Sequence, residues 1–256
     1  MKHREKYRVH YYYTDRNFDL KLLYISKYMQ ETALAALDTL GAPRRELTEK
    51  KLAFFLSKMS FVFDDEIKKF DDIIVETWTL PPKSVSCVRN YRIINETAGT
   101  CAIRASSSWA LLNIADKSIV HPNILSEHFI AGLVDDEDIG FNPARRVKIP
   151  DDIETAAENN VLFKKEILYG DIDENMHMNN TVYLDIIQNA LWKISGVCSP
   201  FKLHSLDVSY DRGAVEGDCL TVCGAKTSGE TGDEIYIRGK VGDTACFNAK
   251  ACFKLT

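Results

Sequence analysis

The sequence predicts an α+β fold made of two copies of one unit, each a long helix wrapped by an antiparallel sheet. Three observations carry this. The order strand, polar loop, apolar helix, several strands occurs twice. The two loop–helix segments share one register, which sets Asp15, Asn17 and Gln30 on Asp173, Asn175 and Gln188 without a gap. A second pairing sets Asp65 and Asp72 on Asp211 and Asp218, and the strand-like segment around Trp109 resembles that around Phe253. Repetition of this kind marks a tandem duplication. The expected division is a first unit over 1–130, a linker over 131–160 and a second unit over 161–256.

Residues 7–13, Tyr-Arg-Val-His-Tyr-Tyr-Tyr, read as the first strand. After a polar loop, Leu22, Ile25, Met29, Ala33, Ala36 and Leu40 recur with the period of a helix that buries one face. Asp19 is placed to cap its start, and Gly41 with Pro43 to stop it. Strands are expected near 53–63, 72–80, 87–95 and 101–114. Residues 116–160 break the pattern with an Asp-Asp-Glu-Asp run, Pro143 and Pro150, and read as linker with short helical pieces. The second unit repeats the order. A strand over 161–169 leads to a polar loop over 170–179 and a helix from about Thr181 to Ser195, stopped by Gly196. Strands follow near 203–210, 218–226, 234–241 and 244–254.

A chain of 256 residues with 45% apolar content buries a real core. The net charge of −5 argues against nucleic-acid binding. No apolar run is long enough to span a bilayer. The first ten residues lack the apolar stretch of a secretory signal, so the expected location is cytoplasmic. Seven scattered cysteines without a Cys-x-x-Cys pair read as reduced and mostly buried. The histidines show no metal spacing and no nucleotide motif is present, so no metal and no cofactor is expected.

Chemistry concentrates in one segment, Tyr-Gly-Asp-Ile-Asp-Glu-Asn-Met-His-Met-Asn-Asn-Thr-Val-Tyr, over 169–183. Asp173, Asn175 and His177 are spaced by two, so an extended backbone points their side chains one way, in front of a helix N-terminus. A carboxylate, a carboxamide and an imidazole there suit activation of a water and polarisation of a carbonyl. The upstream copy has Asp19 in place of His177 and so lacks the imidazole. A plainer reading stands beside this one. Asn179, Asn180 and Thr181 are ordinary cap residues, and Asp171 suits a turn hydrogen bond.

The Asp-Ile-Asp-Glu-Asn-Met-His-Met-Asn-Asn-Thr-Val-Tyr segment resembles the signature of acyl-acyl-carrier-protein (acyl-ACP) thioesterases, tandem hotdog-fold hydrolases of bacteria and plastids. Val-Glu-Thr-Trp-Thr-Leu upstream and Gln-Glu-Thr-Ala in the first helix are similar to the same family, and the likeness runs from about Tyr7 to Phe253. It implies a double hotdog, with Asp173, Asn175 and His177 as the active-site trio. It implies an acyl-phosphopantetheine on an acyl carrier protein as partner and release of free fatty acid in fatty-acid biosynthesis as activity. The family usually places a Glu, often followed by Cys or Ala, after the next central strand. Those positions here are Gly213 and Ala214, and Glu216 lies three residues beyond the first.

On this reading Asp173 activates the water, Asn175 anchors water or carbonyl, and His177 donates to the thioester or protonates the departing thiolate. The N–H groups that open the second helix suit the developing oxyanion. Asn179, Asn180, Gln30, Gln188 and Glu216 are secondary candidates for substrate contact; the two glutamines equally suit a solvent-facing role. Trp78, Trp109 and Trp192 read as core or tunnel wall. The pairs Arg44-Arg45, Lys50-Lys51, Lys68-Lys69 and Arg145-Arg146 read as solvated surface or as docking points for an acidic carrier. An acyl-CoA thioesterase of the same fold, a non-hydrolysing acyl-binding protein and a 3-hydroxyacyl dehydratase are the rivals. A homodimer stays open.

Overall fold

The computed structural model describes residues 2–39, 43–81, 84–125, 134–143, 146–197, 199–229 and 232–254. Leu40, Gly41 and Arg145, named above, and one of the seven cysteines, Cys198, lie outside them. Eleven strands form one sheet: β1 His3–Arg8, β2 Leu52–Phe63, β3 Asp72–Thr79, β4 Ser86–Asn95, β5 Thr100–Asn113, β6 Ile119–Val120, β7 Val161–Glu166, β8 Leu203–Tyr210, β9 Cys219–Gly229, β10 Gly232–Val241 and β11 Thr244–Phe253. Among the described residues the α-helices are α1 Leu22–Asp38, α2 Pro43–Glu49, α3 Asp151–Asn159 and α4 Asn180–Ser195.

The strand order is β1-β3-β4-β5-β2-β8-β11-β10-β9-β7, with β6 beside β5. Read from either edge inward, the two halves follow the same connectivity. They meet at an antiparallel seam between β2 and β8, from Lys58 opposite Ser209 to Val62 opposite Ser205. One face of this sheet carries α1 and α4. The apolar residues of both helices and both half-sheets merge into a single core, from Val9 and Phe61 through Leu184 to Phe247. On the opposite face residues 134–143 lie against the first half and residues 146–149 against the second. Glu137 O accepts Trp78 Nε1–H at 3.1 Å, Gly140 O accepts from Arg104 at 2.8 Å, and Val147 N–H donates to Ser209 Oγ at 2.8 Å.

The two long helices run antiparallel and side by side. Gln188, in the middle of α4, meets the start of α1, while Gln30 and Glu31 of α1 face the start of α4. Helix α4 has the expected cap and stop: Asn179 Oδ1 accepts Thr181 N–H at 2.9 Å, and Gly196 ends the helix at φ 72°. Among the described residues no helix is long and apolar enough to cross a membrane.

Three local expectations give way. The stretch read as strand over 7–13 is split: β1 ends at Arg8, and Tyr11–Tyr13 forms a 3-10 turn that stacks Tyr13 on Tyr24, centroids 4.2 Å apart. Asp19 does not cap α1. Its carboxylate is buried and paired with Lys68, and the first N–H of α1, on Leu22, donates to Gln188 Oε1 at 2.9 Å instead. The strand repeat is shifted by one residue: Asp64 and Asp71, not Asp65 and Asp72, correspond to Asp211 and Asp218. The N–H groups of Asp64 and Asp211 donate to Ala102 O and Cys246 O at 2.9 and 2.8 Å. Asp71 and Asp218 accept the N–H groups of Lys68 and Val215 at 2.8 and 3.0 Å.

Candidate functional site

The segment between β7 and α4 is a closed turn rather than an extended strand. Tyr169–Asp171 forms a 3-10 turn, and Ile172 then bridges Met178. Between them Asp173 O accepts Met176 N–H at 3.0 Å, and Asp173 N–H donates to His177 O at 2.9 Å. Asp173 Oδ1 accepts Asn175 N–H at 2.8 Å, and Met176 takes a positive φ of 61°. Convergence by strand alternation is therefore not the geometry here. Asp173 and His177 are half-buried, Asn175 is exposed, and among the described residues no hydrogen bond links the three side chains.

The first half builds the same turn. Asp15 O accepts Phe18 N–H at 3.0 Å, Asp15 N–H donates to Asp19 O at 2.8 Å, Asp15 Oδ1 accepts Asn17 N–H at 2.8 Å, and Phe18 has φ 66°. The aspartate that opens each loop is thus a turn brace in both halves. What sets the second apart is the imidazole. His177 Nδ1 lies 2.7 Å from Asn175 O. A carbonyl only accepts, so Nδ1 carries the proton, and in the neutral ring Nε2 presents its lone pair.

The ring rests on Gly213. A Cβ there would stand 2.4 Å from His177 Cδ2, far inside contact distance. The imidazole therefore fills the space a side chain at 213 would need. Met178 N–H donates to Ala214 O at 2.7 Å as Leu20 N–H donates to Ile67 O at 2.9 Å, so Glu66 is the first-half counterpart of Gly213. There Glu66 and Asp19 share Lys68 in a compact ion-pair cluster. Glu216 is exposed in the turn before Gly217 and makes no hydrogen bond or ion pair among the described residues.

The secondary candidates divide. Asn179 spends its amide oxygen on the N–H and the hydroxyl of Thr181. Gln188 is buried with its Oε1 on Leu22 N–H. Its counterpart Gln30 makes no matching bond to Asn180 N–H, so among the described residues the first amide of α4 is left open where that of α1 is closed. Beside the open end lies a cleft of about 730 Å³, lined by Asn179 and Thr181 and, from the first half, by Tyr7, Tyr24, Tyr28 and Gln30. The equivalent recess at α1 measures about 270 Å³ and is crossed by Arg16, which lies 4.1 Å over the exposed ring of Trp192. Trp78 is core, as expected.

Some contributors were not foreseen. Tyr183, in the first turn of α4, accepts Ala214 N–H on its hydroxyl at 3.0 Å and ties the helix to the Gly213 turn. Burial pushes its phenol up, so it stays neutral. Lys165 holds Asp171 Oδ2 at 2.8 Å, and Asp171 O accepts Asn179 N–H at 2.9 Å, which fixes the loop. The helical spacing of Tyr24 and Tyr28 was the one available sign of the cleft wall.

Profiles of the acyl-ACP thioesterase N-terminal domain and C-terminal domain match residues 1–128 and 154–250. A chloroplastic palmitoyl-acyl carrier protein thioesterase of Arabidopsis thaliana is 23% identical over 230 residues, 87% of this chain and 53% of that protein. The chain thus spans about half the length of this curated relative. Among solved structures, an acyl-ACP thioesterase of Bacteroides thetaiotaomicron superposes with a TM-score of 0.82 at 19% identity, covering 99% of this chain and 98% of that one. The 12:0-ACP thioesterase of Umbellularia californica gives 0.82 at 15% identity, covering 98% and 92%. These likenesses fix the fold as a double hotdog.

Proposed function

The chain belongs to the acyl-ACP thioesterase family, and from that premise we propose that it hydrolyses acyl-ACP to a free fatty acid and the carrier thiol, in fatty-acid biosynthesis. The observation that carries the proposal is His177, oriented by Asn175 O, seated on Gly213, and present only beside the helix whose first amide is open. Asp173 orients a water with the carboxylate oxygen not used by the turn. His177 Nε2 takes the proton as the water adds to the thioester carbonyl. The oxyanion forms at the positive end of α4, where Asn180 N–H is available. Collapse expels the phosphopantetheine thiolate, and the imidazolium returns the proton to it. A general base of this kind contributes about 10²- to 10⁴-fold.

No step uses a carboxylate at 213 or at Glu216. The catalytic loop belongs to the 161–256 unit and the cleft wall opposite it to the 1–130 unit, joined by 131–160, so the site needs no second copy of the chain. Six free cysteines among the described residues support a reducing, cytoplasmic setting. The test is thiol release from palmitoyl-ACP against palmitoyl-CoA. The proposal expects a higher kcat/KM on the carrier protein; preference for CoA would overturn the choice of carrier. Gly213 favours one second reading, an acyl-binding protein. Tight acyl-ACP binding without thiol release would establish it.

A further inference from the structure

Among the described residues, the interior of the first half holds a cation without a counter-ion. Arg89 lies on β4 and is 8% exposed. It pairs across the ladders with Thr79 and Ser107, on the sheet face that also carries Tyr91 and the core residues Ile73, Val75 and Ile93. Among the described residues its side chain has one hydrogen-bond acceptor, Thr77 Oγ1 at 3.3 Å, and no ion pair. A guanidinium offers five N–H donors, so most meet no protein acceptor among the described residues. None of its nitrogens is a fully enclosed polar atom without a partner, so these donors face space that a water-sized group can reach.

The neighbours do not supply what is missing. Thr77 gives its hydroxyl proton to Asn90 O at 3.0 Å. Ser107 gives its proton to Arg89 O at 3.2 Å and accepts Trp109 Nε1–H at 2.8 Å. Burial pushes the Tyr91 phenol and the Cys87 thiol up, so neither is an anion at neutral pH. The cluster is rich in donors and short of acceptors. A mostly buried charge without an anion is costly, and water or a ligand must complete its remaining donors.

We infer that Arg89 anchors a carboxylate-binding site inside the first half, apart from the catalytic loop. The fatty-acyl class of its ligand rests on the proposed acyl-ACP reading. Arg89 and the cleft adjoin one face of β3, which is enclosed between them at Ile73, Val75 and Thr77. Tyr7 lines the cleft and pairs with Ile73, and the same face continues through Val75 and Thr77 to Thr79 beside Arg89. Six strand residues span about 20 Å, the scale of a long acyl chain. Two sources share the chemistry: the far carboxylate of a dicarboxylic acyl group held by its thioester at the loop, or the carboxylate of a free fatty acid.

Isothermal titration of the full chain with laurate and with dodecanedioate tests the site, on the wild type, Arg89→Lys and Arg89→Met. Removal of the charge should weaken binding at least about tenfold, with lysine between. Arg89→Met without ligand should melt no lower than the wild type, since it removes an unpaired buried charge. Turnover separates the sources. If the far end is recognised, ω-carboxylated palmitoyl-ACP gains in kcat/KM over palmitoyl-ACP, and Arg89→Met abolishes the gain. If free fatty acid is recognised, laurate inhibits the wild type and not Arg89→Met. Equal affinity of folded wild type and Arg89→Met for both probes overturns the site, as does a lower melting temperature with unchanged binding, the mark of a structural arginine. A wild type that turns over no acyl-ACP refutes the proposed function, and the titrations still decide the site.

Discussion

His177→Ala should lower kcat on acyl-ACP at least about tenfold with the fold intact, because it removes the one side chain placed to carry the proton both ways. His177→Gln keeps a donor and acceptor there but cannot shuttle a proton, and should not restore activity. Gly213→Ala should be as damaging as a loop mutation although it deletes nothing. Its Cβ would displace the ring that lies 2.4 Å from that position, and the measured signature is a fall in kcat with a small change in KM. The residue types of the loop were legible because Asp173, Asn175 and His177 are chemically distinctive. The bracing role was not, since Asp173 Oδ1 and Asp15 Oδ1 accept backbone N–H groups in turns that only coordinates reveal. Nor does a bare Gly213 announce the imidazole packed against it.

Gln188 joins the two long helices, and its loss should be read at that scale. Gln188→Ala leaves Leu22 N–H buried without an acceptor, which costs about 1–3 kcal/mol, measured as a shift in the urea midpoint at constant m-value. Gly196→Ala should cost about 1–2 kcal/mol, because the residue ends α4 in the left-handed region at φ 72°. Both long helices were legible from their apolar period. The failures at their edges have local causes. The tyrosine run reads as strand by composition, yet Tyr13 turns back to stack on Tyr24, a contact between elements. Asp19 reads as a cap by position, yet Lys68, far along the chain, claims its carboxylate.

Across the whole molecule, the β2–β8 seam and a core drawn from both halves predict one cooperative unit. Urea unfolding followed by far-ultraviolet circular dichroism and by fluorescence of Trp192 alone, with Trp78 and Trp109 replaced by Phe, should give coincident transitions; separate midpoints would show that the halves unfold independently. The duplication was legible in the repeated loops and helices. The seam was not, because which edge strands meet depends on complementarity between distant segments, and the covering residues 134–143 and 146–149 have no periodic pattern. Duplication also frames the central claim: two loops of one architecture, one keeping the imidazole and an open helix end, the other closed by Lys68 and Gln188. Steady-state thiol release from palmitoyl-ACP by the wild type, Asp173→Asn and Asp15→Asn tests it most directly. The account predicts turnover by the wild type, a loss of at least about tenfold in Asp173→Asn, and near-normal turnover in Asp15→Asn. Equal losses in the two variants, or full activity in Asp173→Asn, would contradict it.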